Sequence, residues 1–327
     1  MKRTHAFLSP LLLGLLIVIG CDQSGLNSGA PSASPKTTVT SLLYPAAIIQ
    51  DTETLTGFVT PESALYDPVA DVYYVSNVGQ LFVADGFISR IDPAATGDVS
   101  GDPGYVWISG LNDPFGITLD ENTLYVVDRD GLYVYDIDRA TGDAAQVDFI
   151  ALGMTGSLLN DVCIGHGGTI YVTDTGLDLA TSTGTGTDAL YQIQDGTVSV
   201  FVEDEAEEGP NGCFTNGANV FWTTFKSNTV YRTNPSGRKK TVAMLPTGGI
   251  DSLVRSGGTL YASSWNADPA DPNNPTGAIY SMSLGGTPIE TALSPVFTPG
   301  DLGYDTLRDR LLVPSVFGNE VIVATVP

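Results

Sequence analysis

The stretch Gly248–Trp265, GGIDSLVRSGGTLYASSW, has a pattern that the rest of the chain repeats. Asp251 begins a short run of alternating polarity, two glycines follow at positions 257 and 258, and positions 259–263 form a second apolar run. Two such runs around a tight glycine turn are typical of a β-hairpin. The stretch therefore predicts an antiparallel pair of strands.

The same hairpin pattern occurs six times, at intervals of 40 to 51 residues. One aromatic or apolar residue marks the second strand of each hairpin: Tyr74, Tyr125, Tyr171, Phe221, Tyr261 and Leu312. A repeat of this length, with short strands and no helical pattern, is typical of a β-propeller. We predict an all-β protein, a six-bladed β-propeller with four-stranded blades.

The last blade lacks its fourth strand, because the chain stops at Pro327. An unpaired edge strand promotes aggregation, so another segment should cover it. The apolar segment Leu42–Gln50, LLYPAAIIQ, has no other place in the repeat. We predict that this N-terminal segment completes the last blade and closes the ring.

The N-terminus has the features of an export signal over residues 1–20, with Lys2 and Arg3 before an apolar run. The sequence VIGC that ends at Cys21 resembles a bacterial lipobox, which implies cleavage before Cys21 and its lipidation. Residues 21–41 have the composition of a flexible tether, and residues 42–327 form the propeller domain. We expect a lipoprotein of the bacterial cell envelope, held at the periplasmic or extracellular face of a membrane only by its lipid.

The chain is strongly acidic, with 37 Asp and Glu against 14 Lys and Arg and a net charge of −23. Nucleic acids require basic surfaces, so a nucleic-acid partner is not expected. The same charge argues against direct binding of the domain to anionic lipid headgroups. We expect a monomer whose partner is a small molecule.

The six hairpins can be aligned on their second strands, which places one residue of each first strand at the mouth of the central channel. These residues are Glu62, Phe115, Asn160, Asn211, Asp251 and Asp301. Carboxylate and amide oxygens without His or Cys favour a hard cation, above all Ca²⁺, with Zn²⁺, Mg²⁺ or Mn²⁺ as alternatives. A second interpretation is that Asn and Asp only satisfy turn backbones, although that does not account for Glu62.

Five short motifs carry a resemblance to a known family. They are Pro61-Glu62-Ser63, Leu159-Asn160-Asp161, Gly209-Pro210-Asn211-Gly212, Ile250-Asp251-Ser252-Leu253 with Ser263-Ser264-Trp265, and Asp301-Leu302-Gly303-Tyr304-Asp305. In this order, they resemble the senescence-marker-protein, gluconolactonase and luciferin-regenerating-enzyme family of six-bladed propellers with one catalytic divalent metal, commonly Ca²⁺. The resemblance implies that the metal ligands are Glu62, Asn160, Asn211 and Asp251. It also implies that Asp251 is the catalytic base or nucleophile and that Asp301, counted among the catalytic residues, is a nearby acidic residue of the pocket.

Two positions depart from the family pattern. Gluconolactonases of this family have an Arg two residues before the third-blade Asn, where this chain has Leu158. Many bacterial relatives have a Lys at the second-blade position, where this chain has Phe115. The resemblance therefore implies a substrate pocket that is more apolar than a sugar site.

Three functions are compatible with these patterns. The first is a metal-dependent lactonase or esterase, in which the cation polarises a carbonyl while a carboxylate or water attacks. The second is a non-catalytic ligand-binding propeller, because a fold does not define a function. The third is a strictosidine-synthase-like or sugar-dehydrogenase-like propeller, of which the dehydrogenase is disfavoured because its His and Arg residues are missing.

Two cysteines remain after Cys21, namely Cys163 and Cys213. They lie three and two residues after Asn160 and Asn211, and an offset of one residue points side chains to opposite faces of a strand. An oxidising compartment would permit a disulfide, but this offset favours two buried thiols.

Overall fold

The computed structural model describes residues 49, 51–152, 158–203, 206, 208–265 and 276–327. Over these residues the chain contains 27 strands, one single-turn 3-10 helix at His166–Gly168 and no α-helix. Six four-stranded blades form a ring, which confirms the predicted six-bladed β-propeller. The predicted signal, the lipidated Cys21 and the tether lie outside the described residues.

The first three blades follow a short N-terminal strand, β1 (Thr52–Thr56). Blade 1 and an adjoining short strand comprise β2 (Pro61–Asp67), β3 (Val72–Asn77), β4 (Gly86–Ile91), β5 (Gly97–Asp98) and β6 (Ile108–Leu111). Blade 2 comprises β7 (Ile117–Asp120), β8 (Thr123–Asp128), β9 (Gly131–Asp138) and β10 (Asp143–Ala151). Blade 3 and its inserted hairpin comprise β11 (Leu159–Ile164), β12 (Ile170–Asp174), β13 (Leu177–Asp178), β14 (Thr183–Gly184), β15 (Ala189–Gln194) and β16 (Thr197–Glu203).

The remaining three blades have the same antiparallel arrangement. Blade 4 comprises β17 (Pro210–Asn216), β18 (Asn219–Thr224), β19 (Thr229–Thr233) and β20 (Lys239–Met244). Blade 5 comprises β21 (Ile250–Ser256), β22 (Thr259–Ser264), β23 (Thr276–Ser283) and β24 (Ile289–Phe297). Blade 6 comprises β25 (Gly303–Asp305), β26 (Arg310–Ser315), β27 (Glu320–Thr325) and the N-terminal β1.

The innermost strand has the same irregularity in four blades. In blades 1, 3, 4 and 5 the pairing with the second strand shifts between the first and the fourth residue of the innermost strand. A β-bulge bends a strand and redirects its side chains. The irregularity therefore determines where the two residues inside it point, and the candidate site depends on these residues.

The ring is closed by β1, which pairs antiparallel with β27 from Thr52 opposite Ala324 to Thr56 opposite Glu320. Closure by an N-terminal strand is confirmed, but the strand is Thr52–Thr56 and not Leu42–Gln50. The outer strand of a blade faces solvent, and in β1 only Leu55 is buried, so the strand that closes the ring has no apolar run to mark it in the sequence. Of the predicted segment, only Ile49 is described, and it donates a backbone hydrogen bond to the carbonyl of Ala292; the rest lies outside the described residues.

Among the described residues, six hydrophobic clusters each lie between two neighbouring blades. Between blades 1 and 2, for example, Tyr74 and Ile88 pack against Ile117 and Leu124. Both faces of an inner strand are therefore buried, as in β3, where all six residues are buried. Because every blade lies between two others, the innermost strands are brought side by side around the channel.

Cys163 and Cys213 form a disulfide, with their Cα atoms 5.9 Å apart, a normal separation for such a bond. The prediction of two buried thiols is wrong. The two cysteines point from opposite faces of their strands, but these two faces pack against each other because the blades are neighbours. The face of β11 that points to blade 4 meets the face of β17 that points to blade 3.

Candidate functional site

Four polar side chains from four blades meet at the mouth of the channel. Glu62, Asn160, Asn211 and Asp251 are each the second residue of their strand and lie within its irregularity. All four are buried, with exposed fractions of 2 to 5%. The chain thus places at this level the four residues that the sequence predicts as metal ligands.

Three of these residues have an oxygen atom that no donor satisfies. Among the described residues, Glu62 Oε2, Asn160 Oδ1 and Asn211 Oδ1 are buried and accept no hydrogen bond. Buried polar atoms are almost always paired, and an unpaired one costs about 1–3 kcal/mol. A hard cation coordinated by oxygen would satisfy all three atoms, so the residues present fit a divalent metal ion.

The donor set is mixed. Within the described part of the chain, no three His, Cys, Asp or Glu side chains form a cluster that could hold a metal ion. The candidate ring instead contains two carboxylates and two amides. Such a set favours Ca²⁺ over the transition metals, which prefer nitrogen or sulfur ligands.

Asp301 lies one level deeper than the sequence alignment predicts. It pairs with Ser63, the residue after Glu62, while Gly300 donates to the carbonyl of Pro314 and has the equivalent position at the mouth. The alignment was wrong by one residue because the turn of the sixth hairpin is long. Its turn matches that of the first hairpin, in which Asp67 accepts backbone hydrogen bonds, as Asp305 does in the sixth.

The deeper level holds two acids, the buried Asp161 and the partly exposed Asp301, whose carboxylate oxygens are all hydrogen-bonded. Asp301 accepts hydrogen bonds from Ser252 Oγ and, at 2.6 Å, from Ser63 Oγ. Asp161 accepts hydrogen bonds from the backbone N–H groups of Val162 at 2.7 Å and Cys213 at 2.6 Å. The two acids therefore connect the innermost strands of neighbouring blades.

The four carboxyl groups of the channel titrate far from their usual range. Burial, and then the negative charge of Asp301, raise the pKa of Asp251 to about 7. Burial likewise raises the pKa of Asp301 to about 6, although hydrogen bonds from Ser252 and Ser63 oppose the shift. Burial, followed by the charges of the other channel acids, raises the pKa of Glu62 and that of Asp161 well above the usual values. The site therefore favours a positive charge.

Trp265 contacts Asp251 directly. Its indole Nε1 donates a hydrogen bond to Asp251 Oδ2 over 3.1 Å. The ring lies edge-on between Phe225 and Phe317, with centroid distances of 5.4 and 5.6 Å. We call these three residues the aromatic wall; they come from blades 4, 5 and 6.

The opposite side of the mouth is lined by the predicted pocket residues. Phe115 and Leu158 form a cluster with Val78, and both are buried, with exposed fractions of 8 and 6%. Leu177 and Leu179, from the connection that contains β13 and β14, pack against this cluster. The connection between β12 and β15 therefore forms part of this side of the mouth.

The far end of the channel differs from the mouth. A cavity of about 580 Å³ extends there from Asp161 and Asp301 to the turn at His166. His166 is exposed and lies at the other end of the hairpin from the four mouth residues. It is therefore remote from the candidate site.

Sequence reasoning assigned no role in the site to four residues that contribute to it, namely Asp161, Phe225, Trp265 and Phe317. Trp265 is the last residue of the stretch that defines the repeat. Its position at the end of a strand does not by itself predict a contact with Asp251. Asp161 follows Asn160 directly, and an acid at that position was a usable signal. Phe225 and Phe317 lie in turns, where one apolar residue is unremarkable by sequence.

Three solved structures with similar folds can be compared over most of the chain. A gluconolactonase from Xanthomonas campestris has a TM-score of 0.61 at 16% identity and covers 86% of this chain and 92% of its own. A luciferin-regenerating enzyme has a TM-score of 0.57 at 12% identity, over 84% and 95%. Regucalcin from Agrobacterium tumefaciens, a calcium-binding protein, has a TM-score of 0.54 at 14% identity, over 83% and 90%.

The comparison establishes the class of fold. The chain is a six-bladed propeller with the architecture of gluconolactonase, luciferin-regenerating enzyme and regucalcin, which confirms the resemblance at the level of the fold. No protein-family model matches the sequence, and no curated protein sequence matches it significantly. Identities of 12 to 16% show shared architecture, and function must be argued from the site.

In the described part of the chain, we find no helix with the length and apolar character needed to cross a membrane.

Proposed function

We propose that the protein is a metal-dependent hydrolase of a lactone or related ester, with Ca²⁺ as the metal. The observation that carries this proposal is the set of three unsatisfied buried oxygens on Glu62, Asn160 and Asn211. Together with Asp251 they converge from four blades at one level of the channel. The fold similarity to a gluconolactonase and to a calcium-binding protein supports it.

The four mouth residues would hold the cation. When bound, a divalent cation polarises an ester carbonyl and stabilises the negative charge that develops on its oxygen. Glu62 and Asp251 supply two negative charges, which match the charge of a divalent ion. Asn160 and Asn211 supply neutral oxygens, and the bulges hold all four side chains at the mouth.

Asp251 is the proposed general base. Trp265 donates to its Oδ2 at 3.1 Å, and a hydrogen bond with Asn211 further restrains the carboxylate. The carboxylate takes a proton from the attacking water as the water oxygen bonds to the carbonyl carbon. The carbon–oxygen bond of the ester then breaks, and the proton passes to the leaving oxygen, which yields a hydroxy acid from a lactone.

Asp301 lies one level deeper in the channel than the four mouth residues. Its oxygens are held by Ser63 and Ser252, so it has no free face toward a substrate at the mouth. Its negative charge helps to raise the pKa of Asp251. We therefore propose that Asp301 tunes the basicity of Asp251 rather than contacts the substrate.

The test is hydrolysis of a lactone panel by purified protein, before and after metal removal. Activity that chelation abolishes and Ca²⁺ restores supports the proposal. Asp251→Asn should lose about 10²–10⁴-fold in turnover, the usual contribution of a general base, whereas Asp102→Asn, at an exposed turn, should match the wild type. Metal binding without hydrolysis of any lactone or ester would favour the alternative, a non-catalytic ligand-binding propeller.

We also propose that the protein is a monomeric lipoprotein of the bacterial cell envelope. The VIGC sequence at Cys21 supports the lipid anchor, and the Cys163–Cys213 disulfide supports an oxidising compartment. Replacement of Cys21 by Ser should move the protein from the membrane fraction to the soluble fraction. Unchanged fractionation would contradict the anchor, and a dimer by size-exclusion chromatography would contradict the monomer.

A further inference from the structure

We propose that the aromatic wall of Phe225, Trp265 and Phe317 binds an uncharged alkyl or aryl substituent of the substrate, and that Trp265 also positions Asp251. The inference rests on the proposed function, because it concerns the substrate of the same site. It names the substrate class as lactones or esters with a sizeable apolar group, and Trp265 as a positioning residue.

The wall is apolar, partly open and continuous with the reactive carboxylate. Phe317 is 56% exposed, and Phe225 and Trp265 are partly exposed. The indole contacts Asp251 through its N–H while Phe225 and Phe317 flank its ring. A substrate with its carbonyl beside Asp251 would therefore have its substituent against this surface.

The backbone beside Trp265 allows this arrangement. Gly249 has a φ of +64°, and a Cβ added there would lie 3.3 Å from the Cβ of Trp265. The N–H of Trp265 donates to the Gly249 carbonyl at 2.9 Å. A side chain at position 249 would thus crowd the indole, and glycine lets Trp265 sit close to the mouth.

The opposite wall is already covered. Phe115 and Leu158 are buried beneath Leu177 and Leu179 of the same chain. Apolar surface that the protein covers itself is not available to a ligand. The aromatic wall, in contrast, is apolar surface beside Asp251 that the described residues leave partly open.

The charges near the wall do not favour an anionic substituent. The closest lysine in the sequence, Lys226, donates to Asp188 at 2.7 Å and to the carbonyl of Gly176 at 3.0 Å. The channel acids and the net charge of −23 repel anions. Three aromatic side chains offer apolar surface that an uncharged alkyl or aryl group can bury.

The first experiment compares γ-decanolactone, which has a hexyl substituent, with γ-butyrolactone, which has none. Phe317→Ala should lower the ratio of kcat/KM for γ-decanolactone to kcat/KM for γ-butyrolactone by about 10-fold, within the range expected for lost apolar contacts. Phe149→Ala is the matched control, because Phe149 is also a partly exposed Phe in an aromatic pair but lies on the outer strand of blade 2. Equal effects of Phe317→Ala on both lactones, or none on either, would overturn the binding wall.

The second experiment separates the two functions of Trp265. Trp265→Phe keeps an aromatic ring but removes the N–H that Asp251 accepts. It should lower kcat for both lactones by about 10-fold while the preference for γ-decanolactone and its KM stay near the wild-type values. Trp265→Ala should lose the preference as well. A wild-type kcat for Trp265→Phe would contradict the positioning role.

A binding measurement makes the inference independent of turnover. The non-hydrolysable γ-decanolactam should quench or shift tryptophan fluorescence, and Trp265→Phe should abolish this change, because Trp222 is fully buried and Trp107 is stacked on Tyr74. A fluorescence change without hydrolysis of any lactone would reject the proposed function and leave the wall supported. Hydrolysis without any response to the lactam would reject the wall and leave the proposed function supported.

Discussion

The disulfide between Cys163 and Cys213 joins the innermost strands of blades 3 and 4. Cys213 also donates its backbone N–H to Asp161 Oδ2 at 2.6 Å. Asn160 and Asn211, the two proposed amide ligands, lie three and two residues before these cysteines. A covalent bond and a buried hydrogen bond therefore hold together the two strands that carry two of the four proposed metal ligands.

The double variant Cys163→Ala, Cys213→Ala should be less stable than the wild type. The bond closes a segment with a sequence separation of 50 residues, and removing a native disulfide typically costs about 2–4 kcal/mol. Denaturant unfolding with and without reductant measures this cost. Reductant should destabilise the wild type and leave the double variant unchanged; equal stability of the oxidised wild type and the variant would show that the bond does not contribute.

Asn211→Ala should weaken Ca²⁺ binding without unfolding the protein. The substitution removes an oxygen that is buried and unpaired in the described structure, so the metal-free protein loses no hydrogen bond at that atom. Calorimetric titration should show a lower affinity, and excess Ca²⁺ should restore part of the activity. The exposed Asn122→Ala is the control, and an unchanged Ca²⁺ affinity in Asn211→Ala would remove this residue from the ligand set.

The metal-free protein should lose stability as the pH rises from about 4 to about 7. Burial raises the pKa of Asp251 to about 7 and that of Asp301 to about 6, whereas in the unfolded chain such groups ionise near pH 4. Between these values the folded state retains protons that the unfolded state has released. The free energy of unfolding therefore falls with rising pH in this window.

Thermal melts of metal-free protein from pH 4.5 to pH 8 test this dependence. Ca²⁺ favours the ionised carboxylates and stabilises the native state that binds it, so saturating Ca²⁺ should reduce the fall in Tm. Asp301→Asn should have a shallower pH dependence than the wild type in the absence of metal. A Tm that rises steadily from pH 5 to pH 8 without metal would contradict the raised pKa values.

Removal of β1 should open the ring. A chain that begins at Gly57 exposes the edge of β27, whereas one that begins at Ile49 keeps the closure. We expect the shorter chain to melt at a lower temperature and to aggregate, because an unpaired edge strand can pair with other molecules.

Point variants within β1 refine this prediction. Leu55 is 3% exposed and packs in the cluster between blades 6 and 1, so Leu55→Ala should cost about 2–5 kcal/mol. Glu53→Ala is exposed on the same strand and should be close to neutral. Equal melting of these two variants would show that β1 does not contribute to the core.

Much of the fold could be predicted from sequence because the repeat is local. Each hairpin carries its own turn and alternating pattern, so six repeats define six blades without any knowledge of long-range contacts. The order of Glu62, Asn160, Asn211 and Asp251 within their strands placed them at one level for the same reason. The second residue of the innermost strand has an equivalent position in each of these four blades.

Tertiary structure decided the features that depend on how blades meet. The pairing of Cys163 with Cys213 follows from the packing of one blade face against the next, which strand periodicity cannot show. The register of Asp301 depended on the length of one turn, and closure by Thr52–Thr56 depended on which polar strand reaches the last blade. The contact of Trp265 with Asp251 depends on the backbone conformation at Gly249 and on the packing of Phe225 and Phe317, which come from neighbouring blades. Local patterns determine what each blade is, whereas contacts between blades determine what lies in the channel, because the channel is formed only when the ring is complete.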